Sequence, residues 1–153
     1  MEFEKSATLQ AAPAVVWPML LDPEVMGACV PGMESIEVVN DTEYVVSIHG
    51  KLSFISARFK VRTAIVEMRE PYYLRSDGAG EDSTLTSSLK VASEVFLAQS
   101  GDGTELKMRL KVEVFGRLGG FGLNVVKTKA DRMWDEFVRN FTDRIANIKE
   151  EPA

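Results

Sequence analysis

LNVVKTKADRMWDEFVRNFTDRIANIK, residues 123–149, decides how the rest of the chain is read. Val126, Ala130, Met133, Trp134, Phe137, Phe141, Ile145 and Ile148 recur every three or four positions, while Lys127, Asp131, Asp135, Arg139 and Asp143 fall elsewhere on the cylinder. That spacing predicts one helix from Leu123 to Lys149, about 40 Å long at 1.5 Å per residue, enough to cross a whole sheet. A helix with a single apolar stripe must cover something. The residues before it supply the partner.

From about Ile36 to Phe115 the apolar period is two. Leu106, Met108, Leu110, Val112 and Val114 alternate with Glu105, Lys107, Arg109, Lys111 and Glu113, which predicts a strand with one dry and one wet face. Tyr44, Val46 and Ile48 alternate with Val45, Ser47 and His49, and Phe59, Val61, Thr63 and Ile65 with Arg58, Lys60, Arg62 and Ala64. Asn40-Asp41, Glu70-Pro71, Gly78-Ala79-Gly80 and Gly101-Asp102-Gly103 read as turns at hairpin distances, too close for parallel crossovers. Upstream, Phe3, Ala7 and Leu9 form a first strand, with Lys5 on its apolar side. Pro13 opens a short helix in which Pro18 should force a kink or a late start. Asp22-Pro23-Glu24 opens a second, which Pro31-Gly32 ends. The expected architecture is α+β, a curved seven-stranded antiparallel sheet around a long C-terminal helix, with two short helices after strand 1. One domain spans residues 1–149, and 150–153 form a tail.

The 153 residues carry 18 basic and 23 acidic side chains, a net charge of −5 and the wrong sign for binding phosphate backbones, so no nucleic-acid partner is expected. The N-terminal residues lack the order of a signal peptide and no apolar run approaches a membrane span, which points to the cytoplasm. One cysteine, Cys29, and one histidine, His49, leave no cluster for a transition metal. His49 has the phase of the wet face, and Cys29 has no basic neighbour in sequence to activate it. The glycines of Gly116–Gly122 do not fit a phosphate loop and read as a hinge, with Leu118, Phe121 and Leu123 as apolar contacts. Arg58, Lys60, Arg62, Lys107, Arg109 and Lys111 read as a solvated face diluted by Glu105 and Glu113. The dry face carries Tyr44, Phe59, Leu89, Val91, Met108 and Leu110, interrupted by Ser76, Ser87 and Ser93, with no carboxylate or histidine among them. By pattern alone these residues make an ordinary close-packed core.

Val16-Trp17, Leu21-Asp22-Pro23-Glu24-Val25, Cys29-Val30-Pro31-Gly32-Met33-Glu34, the Gly78/Gly80 pair and Val114-Phe115-Gly116 resemble the CoxG family of carbon monoxide dehydrogenase subunits. That family lies within the START-like helix-grip (SRPBCC) superfamily of lipid-transfer domains, pollen allergens and polyketide cyclases. Members often have a cysteine or small residue at the position of Met33, and glycines where this chain has Asp82 to Ser88. Many continue into an apolar, membrane-associating tail, and the residues Glu150-Glu151-Pro152-Ala153 do not carry that anchoring over. The resemblance implies a helix-grip fold whose dry face and helix enclose a hydrophobic ligand, lipid-like or quinone-like, in an accessory protein without catalysis or cofactor. It further implies service to a molybdenum hydroxylase of the carbon monoxide dehydrogenase class. The ligand-binding residues it implies are Tyr44, Phe59, Leu89, Met108 and Leu110 of the sheet, Met33 and Phe121 at the rim, and Val126, Ala130, Trp134 and Phe137 of the helix. Two alternatives remain open: a cyclase- or dehydratase-like enzyme using Tyr44 or Tyr72 as proton donor, and a ligand-free module docking through Leu118–Leu123.

Overall fold

The computed structural model describes residues 1–52, 55–82, 87–120 and 123–150. Its elements run β1 (Glu2–Leu9), α1 (Pro13–Leu20), α2 (Pro23–Cys29), β2 (Met33–Val38), β3 (Glu43–Leu52), β4 (Ile55–Arg69), β5 (Tyr73–Asp82), β6 (Ser87–Ser100), β7 (Gly103–Gly116) and α3 (Leu123–Glu150). A 3-10 turn at Arg117–Gly120 joins the last two. The strands form one antiparallel sheet in the order β1-β7-β6-β5-β4-β3-β2. This is the helix-grip architecture, with the short helices after β1 and α3 across the sheet.

Local chemistry sets the joints. Asp22 caps α2, its carboxylate accepting from the Glu24 N–H at 2.9 Å, with Pro23 in the first turn. Gly32 then turns the chain with φ +79°, and a Cβ there would lie 2.2 Å from the His49 carbonyl oxygen, so only glycine fits. The Asn40 carboxamide accepts from the Thr42 and Glu43 N–H groups and closes the β2–β3 turn.

Two expectations are corrected. Pro18 neither delays nor ends α1, which runs from Pro13 to Leu20 around it. The helix ends only two residues beyond Pro18, so the missing N–H removes a single i→i−4 bond, to Ala14, in its last turn. The glycines at 78 and 80 make no turn but lie inside β5. Val61 of β4 crowds that strand, so a Cβ on Gly80 would sit 2.7 Å from the Lys60 carbonyl oxygen and 2.8 Å from Val61 Cγ2. Glycine inside a strand marks such close approach as readily as a turn. The β5–β6 connection falls on residues 83–86, outside the described residues.

Two clusters of buried apolar residues form. The larger gathers Leu9, Val16, Trp17, Val25, Cys29, Leu97, Leu106, Phe141 and Ile145 where α1, α2 and the C-terminal half of α3 close over the ends of β1, β6 and β7. Asn140 ties α3 to α2 by donating to the Cys29 carbonyl at 3.0 Å, and the buried Thr104 hydroxyl donates to the Ala11 carbonyl at 2.6 Å. The smaller cluster, Ala57 and Phe59 with Ile48, Val61, Leu89 and Val114, lies at the other end of the inner face.

Candidate functional site

Cross-strand register fixes which side chains share the face toward α3. Leu74, Val95, Met108 and Lys5 form one row, Ile65, Ser76, Ser93, Leu110 and Phe3 the next, and Thr63, Gly78, Val91 and Val112 a third. Burial along this face is uneven. On β6, Ser87 and Leu97 are buried, but Leu89, Val91, Ser93 and Val95 between them are half-buried. On β7, Thr104 and Leu106 are buried, whereas Met108, Leu110, Val112 and Val114 are half-buried. The opposing helix changes the same way: Phe141 and Ile145 are buried, and Val126, Ala130, Met133, Trp134 and Phe137 are half-buried. The apolar residues of the sheet's inner face and of α3 are thus buried at the larger cluster and less covered beyond it.

The expected ligand-binding residues fall as follows. Met108, Leu110, Trp134, Phe137, Val126 and Ala130 are half-buried on the inner face and on α3. Tyr44 stands on the inner face of β3 opposite Thr63, and Met33 pairs with Ile48 at the start of β2. Phe59 and Leu89 belong to the smaller cluster. Phe121 lies outside the described residues, and the side chains of Leu118 and Leu123 do likewise. Trp134, Phe137 and Phe141 form an aromatic ladder with ring centroids 5.8 and 5.4 Å apart, and the first two, half-buried, pack against the larger cluster.

The inner face is less purely apolar than its pattern implied. Asp82, at the end of β5, has the inner phase, is 4% exposed, and accepts from the Arg58 N–H at 2.7 Å. With β5 continuous through Gly80, that phase follows from Leu74 by simple alternation. Lys5 reaches α3 and pairs with Asp131, which the helical pattern puts on the solvent side. The intrusion of a lysine into the apolar alternation of β1 was the signal for that pair. Ser76 and Ser93 share a hydrogen bond at 2.7 Å in the middle of the face.

Other candidates sit elsewhere. His49 is on the outer face beside the Ser56 hydroxyl. Tyr72 is 54% exposed in the β4–β5 turn. Burial pushes the Cys29 thiol up, which keeps it protonated and unreactive. The cations of the outer face are partly neutralised, Arg58 by Glu34 and Lys107 and Arg109 by Glu4, which holds the Glu4 carboxyl below its usual range. A hollow of about 860 Å³ on that face is lined by charges of both signs, Glu37, Lys60, Arg62, Glu81 and Lys90, with Val39 and Phe115 at its ends. It is a bend of the twisted sheet and lacks facing apolar walls. Among the described residues no group of three or more His, Cys, Asp or Glu could hold a metal, and no helix is long and apolar enough to cross a membrane.

Comparison with known proteins agrees with this geometry. A conserved protein from Geobacillus kaustophilus superposes with a TM-score of 0.87 at 18% identity over 96% of both chains. A START superfamily protein from Mycobacterium smegmatis gives 0.74 at 17% identity, over 96% of this chain and 98% of its own. The Zhui aromatase/cyclase from Streptomyces sp. R1128 gives 0.69 at 13% identity, over 94% and 92%. At these identities the likeness is one of fold. No curated protein sequence matches. The family model of CoxG, a carbon monoxide dehydrogenase subunit, matches residues 6–146, nearly the whole chain, and the protein belongs to that family.

Proposed function

We propose that the recess between the inner face and α3 binds one apolar small molecule of the lipid or quinone class, and that the protein is an accessory factor rather than an enzyme. The observation carrying this reading is the burial profile of β6 and β7, whose inward residues are buried at Leu97, Leu106 and Ser87 but half-buried from Val95 to Leu89 and from Met108 to Val114. A fully packed core would bury Val91, Leu110 and Val112 as deeply as Leu106. An apolar ligand covering them recovers roughly 25 cal/mol for each Å² it takes from water. The family supports a further step, service to a molybdenum hydroxylase of the carbon monoxide dehydrogenase class as attachment factor or as carrier of an apolar electron acceptor.

One set of observations favours the cyclase-like alternative: the inner face holds a carboxylate, Asp82, and an ion pair, Lys5–Asp131. Both are engaged. Asp82 is tied to backbone at the far end, and neither residue of the ion pair is free to exchange a proton without breaking it. A general acid or base needs reach to the substrate and a labile proton. Extracting the purified protein with organic solvent and weighing the extract by mass spectrometry tests the reading. One apolar species at near-equimolar amount is expected; a protein that neither retains nor takes up such a molecule would overturn it.

A further inference from the structure

In the middle of the sheet wall of the recess lies a polar spot. Ser76 and Ser93 face each other across β5 and β6, their oxygens 2.7 Å apart, and both are half-buried. Their neighbours on the same face are apolar: Ile65 and Leu110 beside them in the row, Val91 and Val95 along β6. Next to Ser76, the space that a Cβ on Gly78 would take is filled by β4 side chains, since it would meet Val61 Cγ1 at 3.1 Å and Thr63 Oγ1 at 3.3 Å. Thr63 Oγ1 therefore lies over Gly78, and it has no hydrogen-bond partner among the described residues.

A serine pair can spend only one of its two protons on itself. One hydroxyl donates to the other and the second keeps its O–H, polarised by the bond it already accepts. An O–H that loses water without gaining an acceptor is costly, so an apolar ligand displacing water here must bring an acceptor atom. No charged side chain shares the serine row or the row through Thr63. Of the cations near this face, Lys5 lies one row away and already holds Asp131, and the Met1 ammonium, at the head of β1 and two strands from Ser93, donates to the Val112 carbonyl. A carboxylate or phosphate would give up its hydration without a counter-charge, whereas a carbonyl oxygen asks only for the donor on offer.

Building on the recess proposed above, we propose that the Ser76–Ser93 pair, with Thr63 beside it, anchors a neutral carbonyl oxygen on an otherwise apolar ligand. The recess thus selects a ketone or quinone over a hydrocarbon or an acid of the same shape.

The test measures dissociation constants of 2-acetylnaphthalene, 2-ethylnaphthalene and 2-naphthoate, by calorimetry, for the parent and for Ser76→Ala/Ser93→Ala. Comparing two proteins with the same probes cancels the probes' different solubilities in water. The ratio of ketone to hydrocarbon affinity is expected to fall about tenfold in the double variant, the worth of one buried hydrogen bond, with hydrocarbon affinity within about twofold of the parent. Ser93→Thr, which keeps the hydroxyl, retains the parent's ratio and guards against a fold effect. An unchanged ratio would overturn the anchor while leaving the recess intact. Naphthoate binding more tightly than the ketone would overturn the choice of a neutral acceptor. Failure of all three probes to bind the parent would overturn the recess itself.

Discussion

Leu106 and Leu110 are the same residue type, four positions apart on one strand and on the same face, yet Leu106 is 2% exposed and Leu110 is half-buried. What differs is the cover. Over Leu106, α1, α2 and the Phe141–Ile145 stretch of α3 meet in one cluster. Leu110 belongs to neither buried cluster, and Val126, Ala130 and Met133 in the earlier part of α3 are likewise half-buried. Alternation along a strand decides which side chains point inward. Whether they then touch anything depends on how many elements converge, and on the proposed reading the less covered stretch is where a ligand sits.

Paired truncations give the sharpest test of this contrast. Leu106→Ala should cost about 2–5 kcal/mol, the usual range for a buried leucine that leaves a cavity. Leu110→Ala should cost about 1 kcal/mol or less, because much of its side chain already meets solvent. Denaturant melts of both variants check this, and equal losses would mean the middle of the sheet is as well packed as its end.

A smaller effect is expected at the edge of the less covered stretch, where Lys5 pairs with Asp131. Their side chains are 22% and 41% exposed, so solvent screens the pair. Lys5→Met should change stability by less than about 1 kcal/mol, and the difference should shrink as salt is raised. A large, salt-independent loss would place this pair inside a dry core.

In the larger cluster, burial raises the Cys29 thiol pKa. The folded state therefore holds this proton to higher pH than the unfolded chain does. Its contribution to stability is complete below the ordinary thiol value of about 8.5 and declines as pH rises beyond it. Alkylation of Cys29 in the native protein should be about a hundredfold slower than in the unfolded chain. Rapid native labelling would show that this cluster opens.

Most of the fold was legible because its signals are local. The 3.6-residue stripe from Val126 to Ile148 and the strict alternation from Glu105 to Val114 each state their own element, and Asp22-Pro23-Glu24 states a helix start. The Gly78/Gly80 pair misled because a glycine needed for close strand approach looks in sequence like one needed for a turn, and the difference lies in Val61, a residue of the neighbouring strand. The candidate site was legible only as a face. Met108, Leu110, Trp134 and Phe137 could be assigned to inward positions, but no periodicity records the gap between two inward surfaces. The lysine in the alternation of β1 signalled an interior pair, but neither its partner Asp131 nor the pairing of Ser76 with Ser93 could be read before helix placement and strand register were known.

The central claim is that the middle of the sheet and α3 enclose fillable space. Val91→Phe tests it by placing a ring in that space. Decylubiquinone titrated calorimetrically should bind the parent with one site and the variant at least about tenfold more weakly, while the variant melts within a few degrees of the parent, because a ring that fills open space avoids the ~1–3 kcal/mol of overpacking. A parent that does not bind the quinone, or a variant that is strongly destabilised, would contradict the account.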